Sequence, residues 1–151
     1  MNIREVKNII LAALAAIGGI LTEMTGGWDT TMQVLIVFMS ADFLCGLILA
    51  GVFKKSKKSE TGRLESDAGI KGIFKKVGIL ISIIIGVHLD MLLGYEVAIR
   101  NALIFYFVAI EGISIAENLA LMGVPMPKFI IDMLEQMQGE ASMFKKDKEQ
   151  D

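Results

Sequence analysis

Apolar residues run almost unbroken through three stretches, Thr30 to Phe53, Val77 to Leu93 and Ala98 to Met122, and each carries a carboxylate within it: Asp42, Asp90 and Glu111. A helix rises 1.5 Å per residue and needs about 20 mostly apolar residues to cross the roughly 30 Å hydrocarbon core of a bilayer. The first and third stretches exceed that length, and the second approaches it. A fourth apolar run occupies residues 8–22; from Asn8 to Leu21 it would reach only about 21 Å as a helix. Beyond Pro125 and Pro127 the pattern changes. Phe129, Ile130, Met133, Leu134 and Met137 recur at spacings of three and four with Lys128, Asp132, Glu135 and Gln136 between them, which predicts an amphipathic helix lying on a membrane surface or against a partner helix.

The predicted architecture is therefore all-α: a polytopic transmembrane helical bundle of three to four membrane helices, at about 8–22, 30–53, 77–93 and 98–122, followed by a C-terminal amphipathic helix. Residues 1–127 form the membrane domain, with a basic loop over 54–76, and residues 128–151 form the amphipathic helix and a tail whose end, Lys145 to Asp151, is too charged to pack. Composition agrees. The chain is 54% hydrophobic over 151 residues with only two prolines, and its mean hydropathy is +0.58, too apolar to solvate one globular domain of that size.

Charge adds a direction. Lys54, Lys55, Lys57, Lys58, Arg63, Lys71, Lys75 and Lys76 crowd the loop, whereas Glu23 to Asp29 and Gly94 to Val97 hold no basic residue. The positive-inside rule makes the lysine-rich segment cytoplasmic, with Lys54, Lys55, Lys57, Lys58, Lys75 and Lys76 as its topology-determining residues. The 30–53 helix then runs inward, 77–93 returns outward and 98–122 brings the tail back inside. An inside-to-outside crossing by residues 8–22 fits the same rule and places both ends in the cytoplasm. A cleaved signal peptide with Ala13-Leu14-Ala15 near its end, or a surface or re-entrant segment, are the other readings of that run. Topology and anionic lipid account for the lysines, so no nucleic-acid partner is predicted.

Chemistry of the enzymatic kind finds no foothold. The sequence holds no histidine and cysteine cluster at metal-ligand spacing, no glycine-rich phosphate loop and no nucleophile beside a histidine, so no catalytic residue, metal site or cofactor is predicted. The lone Cys45 reads as a buried thiol.

The charges inside the apolar runs are the candidate functional residues. Asp42 and Glu111 fall midway along their helices, where an ionised acid facing lipid costs several kcal/mol. Either they bond between helices or they line a water-filled path. Glu111, Ser114 and Asn118 share one helix face with Glu117 beside them, a polar stripe that must meet protein or water. Asp90 and Arg100 flank a short turn and predict a salt bridge closing that hairpin, with His88 nearby as an interfacial hydrogen-bonding residue. Small pairs four apart, Ala12 with Ala16, Ala15 with Gly19 and Gly46 with Ala50, predict close helix contacts within one chain or between copies.

Taken in order, Asp42 with Gly46, then Ser66, Gly69, Gly72 and Lys76, then Leu89-Asp90, then Glu111-x-x-Ser114-Ile115-x-Glu117-Asn118, and last Gly123-Val124-Pro125-Met126-Pro127, the chain resembles the phage holin family that includes the toxin-secretion holins of clostridia. The resemblance spans about Thr30 to Met137, and the polar helix followed by Gly-x-Pro-x-Pro is its most specific part. It implies a multi-pass protein of the bacterial host cell membrane, without catalysis or cofactor, that forms homo-oligomers in the lipid bilayer. Such assemblies permeabilise the membrane and release a cell-wall hydrolase or, in some relatives, a toxin. Members are often drawn with three crossings, one fewer than the four obtained when residues 8–22 also span. On this reading Asp42, Glu111, Ser114, Glu117 and Asn118 first bury against one another and then line a wet lesion. Two rival classes use the same pattern: a small ion channel or proton-coupled carrier, and a non-conducting membrane scaffold that recruits a partner through its amphipathic tail.

Overall fold

A computed structural model describes residues 2–56 and 66–146, with side chains as far as residue 139. Among the described residues all regular structure is helical: α1 (Ile3–Met24), α2 (Thr30–Ile48, continued by a π turn over Leu49–Phe53), α3 (Ser66–Leu93), α4 (Ala98–Met122) and α5 (Lys128–Lys146). The first four, counting α2 with its π turn, are each long and apolar enough to cross a membrane. The all-helical, membrane-spanning class expected from the apolar pattern is the one found.

Local chemistry sets the helix ends. Asp29 caps α2, its carboxylate accepting from the Met32 amide at 2.9 Å, and so satisfies a donor that has no partner within the helix. Lys54 ends the π turn in the left-handed region at φ 53°. Gly123, at φ 90°, closes α4 with the Val124 amide donating back to the Leu119 carbonyl, after which Pro125 blocks any continuation.

α4 is the centre of the molecule. α2, α3 and α5 all pack on it, while α2 and α3 touch each other little. The core consists of Met32, Leu35 and Met39 from α2, Ile79 and Ile83 from α3, and Ile104 and Val108 from α4. Two glycines let helices close on α4. A Cβ on Gly86 would stand 2.7 Å from Leu103 Cδ1, and one on Gly112 would stand 2.8 Å from Leu134 Cδ2, so α3 and α5 approach where side-chain bulk is missing. Leu134 is the buried anchor of α5 among the described residues, whereas Phe129 and Met133 stay exposed.

Two element boundaries differ from the sequence expectation. α3 begins at Ser66 instead of 77, so the last eleven positions of the expected 54–76 loop are helical; Lys71, Lys75 and Lys76 are good helix formers, and hydropathy marks only the apolar part of a longer helix. α1 likewise extends beyond 8–22 at both ends. Its N-terminus is held by the Asn2 amide donating to Glu5 Oε2 at 2.9 Å, and 22 residues give about 33 Å, enough to span. No residue of α1 is buried. Lys57 and Lys58, together with Arg63 and Lys148, lie outside the described residues.

Candidate functional site

The apolar helices converge on one charged cluster. Asp42 of α2 and Glu111 of α4 are 3% and 0% exposed, and Lys76 of α3 reaches between them. Its ammonium donates to Asp42 Oδ2 at 2.7 Å and to Glu111 Oε2. Ser114 Oγ donates to Asp42 Oδ1 at 2.6 Å and Asn118 Nδ2 to the same oxygen at 3.3 Å. Thus four of the five sequence-predicted polar residues meet, and the fifth, Glu117, is exposed at the edge of the same region.

Among the described residues the two buried carboxylates meet the part-buried ammonium of Lys76, and Glu111 Oε1 has no hydrogen-bond partner. Lys75 Nζ stands 3.6 Å from that oxygen, on a side chain 52% exposed. Buried ions cost several kcal/mol each to desolvate, and removing one partner of such a set destabilises by about 3–5 kcal/mol. The cluster therefore clamps three helices while leaving one carboxylate oxygen without a donor among the described residues.

Beside it lies a groove of about 330 Å³, bounded by α2, α3 and α4 and open to the side. Gly46 and Ala50 on α2 face Gly69 and Gly72 on α3 across it, so the small pair read from the sequence on α2 makes space here instead of a tight contact. Lys71, Lys75 and Glu117 also line it.

A second polar centre sits at the opposite end of the bundle. Here the predicted Asp90–Arg100 salt bridge is replaced by a different arrangement. The Asp90 carboxylate accepts from the backbone amides of Ile99 and Arg100, at 2.8 and 2.9 Å, and thereby caps α4. The Arg100 side chain turns away to the α1–α2 connection, donating to the Thr25 carbonyl at 2.6 Å, to the Gly27 carbonyl at 3.3 Å and to Asp29 Oδ2 at 2.7 Å. The reason is steric and electrostatic. The first amides of a helix lack acceptors and favour a carboxylate, while Gly26, at φ 83°, leaves space that a Cβ would take at 2.8 Å from Arg100 Nε. The Arg100 guanidinium holds the Asp29 carboxyl well below the usual carboxylate range.

Sequence reasoning missed Lys76 as a member of the cluster and Asp29 as the acceptor for Arg100. Both left a signal. Lys76 is in phase with Ile79, Ile83, Val87 and Asp90, the buried face of α3, and Asp29 directly before Thr30 has the form of a helix N-cap. Lys54 and Lys55 are exposed beyond the end of α2. His88 is exposed and its Nδ1 lies 2.7 Å from the Ile84 carbonyl of its own helix.

The sequence model of the bacteriophage holin family matches residues 19–139. An uncharacterised protein of Clostridium perfringens is 38% identical over 80% of this chain and 84% of its own length, and one of Listeria monocytogenes is 35% identical over 83% and 84%. A protein of Bacillus phage phi105 named "Probable holin" is 27% identical over 72% of this chain and 75% of its own. No solved structure matches the chain.

Proposed function

The chain belongs to the bacteriophage holin family, as a multi-pass protein of the bacterial membrane, and from that premise we propose that it self-associates there and opens non-selective lesions that release a cell-wall hydrolase or a toxin. The observation that carries this reading is the cluster of Asp42, Lys76, Glu111, Ser114 and Asn118 where otherwise apolar helices meet, with a Glu111 oxygen that has no donor among the described residues. In a single bundle these groups bond to one another, because separating them into lipid costs several kcal/mol per charge. Helices that part only where water replaces the lost partners avoid that cost. Neighbouring copies that turn this face toward a shared interior supply such a space, so the same residues close the isolated bundle and line the lesion. Self-association proceeds through α1, which has no buried residue and presents Ala12, Ala16, Ala15 and Gly19 to its surroundings. The lysine-rich segment between α2 and α3 faces the cytoplasm, and α1 crosses outward.

The test is induced expression in a bacterium with and without a cytoplasmic cell-wall hydrolase lacking an export signal, following turbidity and membrane potential together. Abrupt depolarisation after a lag, then hydrolase-dependent clearing, is the expected result. Normal growth at stable potential, despite verified insertion, defeats the proposal and favours a non-conducting scaffold. Asp42→Leu with Glu111→Leu is expected to insert normally and not leak; leakage at the unmodified rate would reduce the cluster to a packing device.

A further inference from the structure

The first turns of α3 carry an inverted pattern. Ile70, Ile73, Phe74 and Val77 are exposed on the outer face, while Gly69, Lys71, Gly72 and Lys75 face the groove against α2 and α4. A helix end projecting into water has its lysines outside and its phenylalanine inside. The opposite arrangement suits a segment embedded at the headgroup level, where the apolar face meets acyl chains and cations turn toward a polar recess. Length agrees, because counting about 20 residues back from Leu93 to span the hydrocarbon core reaches Ile73, which sets Lys71 and Lys75 at the headgroup boundary.

We propose that this groove binds the headgroup of an anionic glycerophospholipid such as phosphatidylglycerol. Lys71 makes no hydrogen bond or ion pair among the described residues, and Lys75 stands 3.6 Å from Glu111 without hydrogen-bonding it, so both ammonium groups have donors to give to a phosphate. Lys76 is engaged by Asp42 and Glu111 and does not take part. The glycines and Ala50 that line the groove provide the width, and Glu117 at its edge offers an acceptor for headgroup hydroxyls, which inorganic phosphate lacks. Basic recesses between membrane helices recognise anionic headgroups in this manner, each lysine near the surface contributing about 1 kcal/mol. Binding in detergent is independent of lesion formation, so failure here leaves the proposed function untouched, and the reverse holds.

The test adds short-chain phosphatidylglycerol, phosphatidylethanolamine, phosphatidylcholine or inorganic phosphate to the purified full chain in detergent, reading bound lipid by native mass spectrometry and Tm by thermal unfolding. Phosphatidylglycerol is expected to bind and to raise Tm by on the order of 5 °C at saturation. Lys71→Gln with Lys75→Gln weakens binding about thirtyfold, whereas Lys71→Arg with Lys75→Arg and, outside the groove, Lys54→Gln with Lys55→Gln retain it. Gly69→Phe enters open space and occludes the groove with every charge in place, so it abolishes binding. Binding that survives both the glutamine pair and Gly69→Phe overturns the site. An equal response to phosphatidylcholine or phosphatidylethanolamine overturns the anionic headgroup, and an equal response to inorganic phosphate overturns the lipid.

Discussion

Replacing Arg100 by leucine isolates what ties α1 to the rest of the molecule. The Arg100 side chain is 1% exposed and holds the Thr25 carbonyl at 2.6 Å, the Gly27 carbonyl at 3.3 Å and Asp29. A hydrogen bond from a charged donor to a buried carbonyl contributes about 1.5–3 kcal/mol, and the longer one to Gly27 less. Asp29 is 47% exposed, so solvent screening holds that ion pair to about 0–1 kcal/mol. Loss of all three removes about 3 kcal/mol of local anchoring, which on exponentiation is a factor on the order of a hundred in the opening equilibrium. Hydrogen exchange reads it directly. The amides of Gly26, Gly27 and Met32, bonded to Glu23, Thr22 and Asp29 in the native loop, are expected to exchange about a hundredfold faster, while core amides of α3 and α4 keep their rates. Asp29→Asn should accelerate the same amides no more than about fivefold, and Asp90→Asn should act on Ile99 and Arg100 instead. Unchanged loop exchange, or equal acceleration throughout the chain, would refute the view of Arg100 as a local tether.

Acid should loosen the same loop: the Asp29 pKa is lowered in the native protein, so its contribution is complete above the ordinary carboxylate value near pH 4 and is lost as pH falls toward the depressed native value. Gly26, Gly27 and Met32 exchange, corrected for intrinsic rates, checks this, and a loop that tightens on acidification would contradict it. Lys76→Met leaves Asp42 and Glu111 without their shared ammonium and is expected to cost about 3–5 kcal/mol in unfolding experiments, with Glu111→Gln added to it recovering part of the loss. Leu134→Ala opens a cavity beside Gly112 and should cost about 2–4 kcal/mol, seen as faster amide exchange along α5. Gly19→Leu enters open space on α1, so it should leave Tm in detergent within about 1 °C yet reduce cross-linking between copies in membranes; unaltered cross-linking would remove α1 from the contact.

Apolar runs were legible because the bilayer imposes a length that sequence displays directly: α2 and α4 begin and end at the expected residues once the π turn is counted with α2. Asp42, Glu111, Ser114 and Asn118 were legible because polar groups in such runs must meet one another. Lys76 was not, since a lysine at the edge of a hydrophobic stretch satisfies the charge rule equally well at the surface or turned inward. Its phase along α3 carried the answer, and that phase becomes visible only once the helix is known to start at Ser66. Arg100 shows a different limit. It lies ten positions after Asp90, a spacing suited to a hairpin ion pair, but the competing demand of unpaired amides at the start of α4 depends on geometry that spacing does not encode.

The central position of α4 has a consequence in time. α2 and α3 scarcely touch each other, and Glu111, Ser114 and Asn118 all arrive on α4, after α2 and α3 have been made. At roughly 10 residues per second, the ribosome needs about 3 s to proceed from Leu93 to Met122. Throughout that interval Asp42 and Lys76 lack Glu111, Ser114 and Asn118, and α2 and α3 lack the helix on which both pack. The insertion machinery must chaperone a half-made bundle until α4 emerges, so a chain truncated before Ala98 should be a substrate for membrane quality control while the finished one is not.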